Sequence, residues 1–414
     1  MTSIRLGDVC QKIGSGATPR GGKDVYLEVG DVALIRSQNV YNDRFERPGL
    51  VYLTPEHSRQ LDAVTVKAGD VLLNITGDSV ARVCQVPSDV LPARVNQHVA
   101  IIRPDPSRLD PRFLRFYLAS PPMQQHMLGL AGAGATRNAL TKGMIERFEI
   151  PDIPLQEQKI IGVALGAIED KVDRIRQINE TIDLMVRTLF KGWFIDKGAE
   201  DWPTARLDEH VVAHRGLSYK GSGLCEAGEG LPMHNLNSVH EGGGYKYSGI
   251  KFYKGEFKDR HILSAGEIIV TNTEQGHQHR LIGFPAVVPA YYGQTGIFSQ
   301  HIYRVKLVES TYLTREFIYY LLMSPKVRDQ IISATNGSTV NMLPLHGLQA
   351  PTFDLPPRAL VEQFSATTRP LWLKIERNHE QVRDLTKLLA LLLPAVISGE
   401  VQLKSVEEEL AEYL

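Results

Sequence analysis

The chain has only three cysteines in 414 residues, Cys10, Cys84 and Cys225. So few, odd in number and scattered, they exclude a disulfide framework and a cysteine zinc site, and each is expected to be a buried small hydrophobe. Long apolar runs are missing too. No stretch of about eighteen apolar residues could span a bilayer, and the opening MTSIRLGDVC lacks the apolar segment of a secretory leader. A cytoplasmic protein with no membrane partner is expected. Charge of one sign is also lacking: 46 Lys and Arg face 47 Asp and Glu, for a formal net charge of −1. Neutralising phosphates ordinarily needs excess cations, so this balance argues against a large nucleic-acid footprint built from the chain alone. The average hides a segregation. Lys and Arg outnumber Asp and Glu by 18 to 15 over 1–150 and 14 to 13 over 201–350, and are outnumbered 7 to 9 over 151–200 and 7 to 10 over 351–414. Two larger, slightly basic segments therefore alternate with two shorter acidic ones.

A chain this long suggests roughly two to four domains of ordinary globular composition. The stretch QKIGSGATPRGGK (Gln11 to Lys23), with four glycines and a threonine, looks like a phosphate cradle. Its spacing fails both known patterns. A P-loop needs a glycine five residues before the Gly-Lys pair and a hydroxyl after it, whereas Ala17 precedes Gly22-Lys23 and Asp24 follows. The dinucleotide fingerprint starts at Gly14 and Gly16 but has Pro19 where its third glycine belongs.

The organising fact is internal repetition at a separation of about two hundred residues. IRLGDV at Ile4 is answered by ARLDEH at Ala205, VKAGDVLLNIT at Val66 by LSAGEIIVTNT at Leu263, and NQHVAIIRPD at Asn96 by SQHIYRVKLV at Ser299. DPRFLRFYLASPPMQQHM at Asp110 is answered by TREFIYYLLMSPKVRDQI at Thr314, two amphipathic segments broken at the same Ser-Pro. GATRNALTKGMIERFEIPDIPLQEQ at Gly134 is answered by GSTVNMLPLHGLQAPTFDLPPRALVEQ at Gly337. Each repeat has about 150 residues of short β-branched strands punctuated by Gly and Pro, followed by a long helical pattern.

The first helix starts after Pro154 and runs to about Phe190, with a heptad seam of Ile161, Leu165, Ile168, Val172, Ile175, Asn179, Ile182, Val186 and Leu189. The second starts after Pro357, with Val361, Phe364, Thr368, Leu371, Ile375, Asn378, Val382, Leu385, Leu389, Leu392 and Val396. At 1.5 Å per residue each is about 50–60 Å long. Pro370 should kink the second near its start and Pro394 near its end, with Gly399 as a stop. Each seam carries one polar break, Asn179 at an a position and Asn378 at a d position. Because a layers face d layers in an antiparallel pair, the helices are expected to run antiparallel with the two asparagines within about one heptad, fixing register. The alternative is that each Asn sits at a solvated edge of the bundle.

A catalytic constellation is not evident. His210 and His214 in EHVVAH stand four apart, but Val211 and Val212 lie where a zincin would place its glutamate. His277 and His279 in GHQHR are too few to make a site alone. There is no G-x-S-x-G elbow. The polar loops suit hydrogen-bond reading better than bond breaking: Asn and Gln can pair with adenine, Arg and Lys with guanine, and Ser and Thr with bases or phosphates. Such residues recur in both halves. Arg36, Gln38 and Asn39 in LIRSQNV correspond to His234, Asn235 and Asn237 in PMHNLNS, and Asn74, Thr76, Ser79 and Arg82 to Thr271, Asn272, Thr273, Gln275, Gln278, His279 and Arg280. The second half adds GYKYSGIKFYKGEFKDR, in which Lys246, Tyr247 and Lys251 suit phosphate contact and groove insertion. For any single residue the alternative is an ordinary loop cap or turn.

RLGDVCQKIGSGATP, LIRSQNV, AGDVLLNITG, NQHVAIIRP and PLQEQKIIGVALGAIEDKVD, in this order and duplicated, resemble the specificity subunit of type I restriction-modification systems. The resemblance covers essentially the whole chain. It implies an α+β chain of two tandem mixed α/β target recognition domains (1–153 and 199–355), separated by two long helices (154–198 and 356–414, the latter with a tail) that pair as an antiparallel coiled coil and act as a ruler, in a pseudo-two-fold repeat. It implies double-stranded DNA as a partner, with a split site read one half per domain. Two methyltransferase subunits that carry S-adenosylmethionine and modify adenine, and restriction-translocase subunits that use ATP and magnesium, are the implied protein partners. The chain itself would perform no catalysis and bind no cofactor or metal. The glycine-rich stretch would open a recognition domain, with Thr18 and Arg20 able to meet the DNA backbone. Its second copy, VVAHRGLSYKG, keeps Gly216, Ser218 and Lys220 but loses the Thr-Pro. Because the loops differ more than the frameworks, the target is expected to be asymmetric. A protein–protein scaffold using the same helices remains the competing reading from the residues alone.

Overall fold

A computed structural model describes residues 2–42, 44–132, 138–196, 201–276, 278–337 and 340–398. His277, Gly399 and the tail to residue 414 lie outside the described residues. The chain forms two compact units, one from the described residues of Met1–Arg174 and Val382–Leu414, the other from Ile175–Gln381.

In the first unit, strand Val71–Asn74 starts where the sequence places a Gly-acid turn. Gly69 takes a left-handed conformation (φ +85°), which a glycine adopts without strain. The fully buried Asp70 then accepts from Lys67 N at 2.7 Å and takes a two-pronged grip from Arg103, Nε to Oδ1 at 2.7 Å and Nη2 to Oδ2 at 2.8 Å. The apolar run behind that turn is buried on both faces, which explains why it does not alternate. It lies in a sheet ordered Cys10–Ser15, Val99–Pro104, Val71–Asn74, Val83–Gln85, antiparallel throughout. A second sheet runs Val51–Leu53, Val32–Ile35, Ala93–Val95, Thr65–Val66, with the middle pair parallel. Leu34, Ile35, Val95 and Ile101, none more than 2 % exposed, lie in one core with these strands.

The second unit repeats this topology. Its four-stranded sheet is Val211–Arg215, Ile302–Leu307, Ile268–Thr271, Pro285–Val287, and its other sheet is Lys251–Tyr253, Leu231–His234, Thr295–Phe298, Ile262–Ser264, again parallel in the middle, with Leu224–Cys225 added at one edge. Gly266 (φ +86°) and Glu267, whose carboxylate accepts from Ser264 N at 2.7 Å, repeat the Gly-acid turn. The amphipathic segments form two helix pairs, Pro111–Ala119 with Pro121–Gly132 and Arg315–Met323 with Pro325–Ser333, broken at Ser120 and Ser324. Each unit also pairs an early strand with a late one, Ser3–Arg5 with Glu149–Pro151 and Thr204–Arg206 with Thr352–Asp354.

The long helices are Leu155–Lys191, continued by a π-helical turn Gly192–Asp196, and Arg358–Ser398. The buried seam of the first follows the expected one through Ile161, Leu165, Ile168, Val172, Ile175, Asn179, Ile182 and Val186, but ends at Phe190 in place of the half-buried Leu189. In the second unit the helices run antiparallel: the rings of Phe190 and Phe364 lie 5.6 Å apart while Asn378 Nδ2 donates to Asn179 Oδ1 at 2.6 Å. Neither proline interrupts Arg358–Ser398. Pro370 and Pro394 lie on the exposed face, as do Ala366 and Ala390 four residues earlier, so solvent can take up the carbonyls left without a helical donor. The cysteines also depart from expectation: Cys84 is buried, but Cys10 and Cys225 are only half-buried.

Candidate nucleic-acid interface

The glycine-rich stretch has a structural purpose first. A Cβ on Gly16 would stand 2.1 Å from the Val95 carbonyl oxygen, and one on Gly216 would stand 2.2 Å from that of Ser299. Backbone therefore crosses backbone at corresponding places, held by Ala17 N to Val95 O (3.1 Å) and by Leu217 N to Phe298 O (2.8 Å). Each crossing leads into an exposed loop with a cation four residues on, Arg20 in one repeat and Lys220 in the other. Neither cation has a hydrogen-bond or ion-pair partner among the described residues. Thr18 is exposed and donates its hydroxyl to Gln97 Oε1.

The turns after Val32–Ile35 and Leu231–His234 are capped in the same way. Asn39, fully buried, accepts from Arg36 N at 3.0 Å and donates to Glu46 O at 2.8 Å, while Ser238 Oγ accepts from Asn235 N at 3.0 Å. This shifts the sequence correspondence by one residue: Arg36 matches Asn235, Gln38 matches Asn237, and Asn39 matches Ser238. Asn39 and Asn235, whose Nδ2 donates to Met233 O and Gly249 O, are occupied by the turns and are not free to read a base. Gln38 and Asn237 are exposed. Arg36 donates to Gly49 O and lies 5.4 Å from the Tyr26 ring centroid. His234 is 2 % exposed, bonds Tyr245 Oη through Nδ1 at 2.9 Å, and is pushed down to about 3 by burial, so it is a neutral core residue.

Asn74, also fully buried, donates to Ser37 O at 2.8 Å, and Asn272 donates to Gln300 O at 2.9 Å; each keeps its Oδ1 without a hydrogen-bond partner. Thr76 and Thr273 are held by His98 and His301. The loop that follows differs between repeats. Asn74 N reaches Arg82 O, but Thr271 N reaches Phe284 O, so the second loop is longer, Arg82 is matched by Phe284 rather than by a cation, and the stretch holding Ser79 has no direct counterpart. Glu274 organises the insertion by accepting from Arg280 N (3.0 Å) and Ile282 N (3.2 Å), while His279, at φ +51°, gives its carbonyl to Arg328. Gln275, Gln278 and Arg280 are exposed there, and Ser79 is half-buried. Arg82 stacks over the Tyr41 ring at 4.4 Å, with Arg44 at 4.8 Å from the same ring.

Tyr247 is not available for groove insertion. Its ring stacks on His379 at 4.1 Å and meets Tyr245 and Tyr291 edge-on at 5.1 and 5.0 Å. It thus belongs to an aromatic cluster packed on the second long helix, where burial pushes its hydroxyl pKa up. Lys251 is drawn to Tyr219, Nζ to Oη at 3.1 Å, and Lys246 is half-buried. His210 bonds Thr311 Oγ1 at 2.8 Å, while His214 sits half-buried on Val211–Arg215. Reasoning from residue type missed Gln97, His98, Gln300 and His301, although the dipeptide Gln-His recurs in both aligned framework segments.

Residues 1–184 match the family described as "Type I restriction modification DNA specificity domain". The chain is similar to the type I restriction enzyme MjaIX specificity subunit of Methanocaldococcus jannaschii, 21% identical over 309 residues that cover 70% of this chain and 69% of that one. It is equally similar to the EcoKI specificity subunit of Escherichia coli K12, 21% identical over 333 residues, 76% of this chain and 69% of the other. Among solved structures, the type I restriction-modification S subunit from M. genitalium shares the fold, with a TM-score of 0.58 at 14% identity over 95% of both chains.

Proposed function

We propose that the chain is a specificity subunit of a type I restriction-modification system, on the match of residues 1–184 to that family and the likeness of most of its length to such subunits, and that it binds a bipartite, asymmetric double-stranded DNA site. The recognition domains are 1–153 and 199–355, one half-site each, and the spacer segments 154–198 and 356–414, the latter with a tail, serve as the ruler between half-sites. The chain is non-catalytic. Two methyltransferase subunits carrying S-adenosylmethionine methylate adenine N6 at the site it selects, and restriction-translocase subunits using ATP and magnesium cut unmodified DNA. Among the described residues no helix is long and apolar enough to cross a membrane.

One observation carries the reading: two units share sheet order, turn chemistry and backbone crossings while their polar loops differ in length and content. A frame kept constant beneath loops that vary is what two readers of different half-sites need. Of the candidate residues, the exposed ones are retained as DNA contacts: Thr18, Arg20, Gln38, Lys220, Asn237, Gln275, Gln278 and Arg280. The test is a methylome. The chain is expressed with its methyltransferase subunit in a methylation-free host, and N6-methyladenine is mapped across the genome. A split, asymmetric motif that needs both chains is expected. A palindromic motif overturns the asymmetry, and the absence of any motif from a co-purifying complex overturns DNA reading in favour of a scaffold.

A further inference from the structure

The two units share a polar cluster at corresponding positions whose glutamine ends reach solvent. In the first, His98 bonds Thr76 Oγ1 through Nδ1 at 2.6 Å and Gln97 Nε2 through Nε2 at 3.0 Å. In the second, His301 bonds Thr273 Oγ1 through Nδ1 and Gln300 Nε2 through Nε2, both at 3.3 Å. The backbone frames them alike, with Ile75 N to His98 O at 3.0 Å and Asn272 N to His301 O at 3.1 Å. Both glutamines are exposed, and so is His301. Thr273 is buried and Thr76 and His98 are half-buried, so each chain is anchored in the protein at its threonine end, but its exposed glutamine end contributes little to packing.

Hydrogen-bond logic sets the direction of each chain. Thr18 donates to Gln97 Oε1, which leaves the amide nitrogen facing the imidazole. An amide nitrogen only donates, so Nε2 of the histidine accepts and the ring proton sits on Nδ1, where it goes to the threonine oxygen. The second amide proton of each exposed glutamine is left to donate outward. The side chains that emerge are neutral donors held in place in advance, and Arg20 and Lys220 lie four residues beyond the two glycine crossings that pack beside these loops. Outward donors with a cation nearby suit an oxyanion.

The half-sites differ, so a cluster kept in both units matches what half-sites have in common. Resting on the proposed function, we propose that Thr76-His98-Gln97 and Thr273-His301-Gln300 are matched clamps on the sugar-phosphate backbone of DNA. Each docks its recognition domain on a phosphate and carries no base preference.

The experiment uses the complex of the full chain with its methyltransferase subunit. Gln97→Ala, Gln300→Ala and the double variant are compared with wild type for the methylated motif, for melting temperature, and for affinity to cognate and unrelated duplexes. A hydrogen bond to a charged acceptor corresponds to about tenfold in affinity. Each single variant is expected to lose about tenfold on both duplexes, and the double variant about a hundredfold, with motif and melting temperature unchanged. Gln97→Glu and Gln300→Glu, which keep the side chain's size but turn an acceptor toward the phosphate, should lose more than the alanine variants. A motif that relaxes at one base in the matching half-site would make the glutamine a base reader and overturn the proposal. Unchanged affinity on both duplexes would make the cluster a surface cap and overturn it equally. The wild-type motif, read in the same experiment, decides the specificity function separately.

Discussion

Asn39 shows how a polar side chain with the chemistry to read adenine can be taken up by the protein itself. Its carbonyl caps the turn at Arg36 N and its amide holds Glu46 O, both fully out of water. Asn39→Ala leaves those backbone groups buried without partners and is expected to cost about 1–3 kcal/mol in urea unfolding while leaving the methylated motif unchanged; an altered motif with unchanged stability would return Asn39 to the DNA. His379 gives a pH dependence. Burial, then the nearby His240 and Arg176, push it down to about 4. The unfolded chain, with the ordinary value of about 6.5, binds the proton more readily. The native contribution is therefore complete above pH 6.5 and is lost as pH falls from 6.5 towards 4. The melting temperature should drop on acidification through this window, and His379→Gln should flatten that part of the drop while keeping a flat group against Tyr247. At this scale the sequence shows only residue types. His234 and Asn272 read as donors and acceptors, but their partners, Tyr245 Oη and Gln300 O, come from elsewhere in the chain, and no local pattern announces them.

At the scale of elements the two seams were legible, because a heptad of apolar residues permits one buried stripe. The helix starts at Leu155 and Arg358 follow directly from Pro154 and Pro357, since proline is tolerated just before or at the first turn. What the pattern did not show was that Pro370 and Pro394 are accommodated, which depends on which face meets water. The asparagine pair is the element's one polar layer. Asn378 donates to Asn179, whose own Nδ2 is buried without a hydrogen-bond partner. Such a half-satisfied layer weakens the seam and disfavours shifted registers, in which an amide would face Ile or Leu. Asn378→Leu alone should destabilise by about 1–3 kcal/mol, because it orphans Asn179 entirely. The double change to Leu should recover that loss and exceed wild type, with a coupling of about 0.5–3 kcal/mol in a double-mutant cycle followed by thermal unfolding. Additive single and double effects would show that the pair does not act as a unit.

At the scale of the whole molecule the duplication decides what the charge can mean. The repeat was legible because strand order, Gly-acid turns and Ser-Pro breaks survive where identity does not; the loop inserted between Thr271 and Phe284 was not, because its length difference shifts the alignment where the polar residues lie. A chain with a net charge of −1, in which cations such as Arg20, Lys220 and Arg280 are matched by as many carboxylates, offers no net excess of charge for phosphate neutralisation. The salt dependence of duplex binding scales as about −0.9 per phosphate neutralised. The chain alone is therefore expected to bind DNA weakly, with a log-log slope against salt shallower than about −3, and the slope should steepen sharply once the methyltransferase subunit is added. Arg20→Ala and Lys220→Ala should each flatten the slope of the chain alone by about 1, whereas Gln97→Ala, which removes a neutral donor, should weaken binding without changing it. Tight binding by the isolated chain with a slope near that of the complex would mean that the grip on the backbone resides in these two units after all. The near-neutral charge would then conceal a concentrated basic face rather than a division of labour between reader and partners.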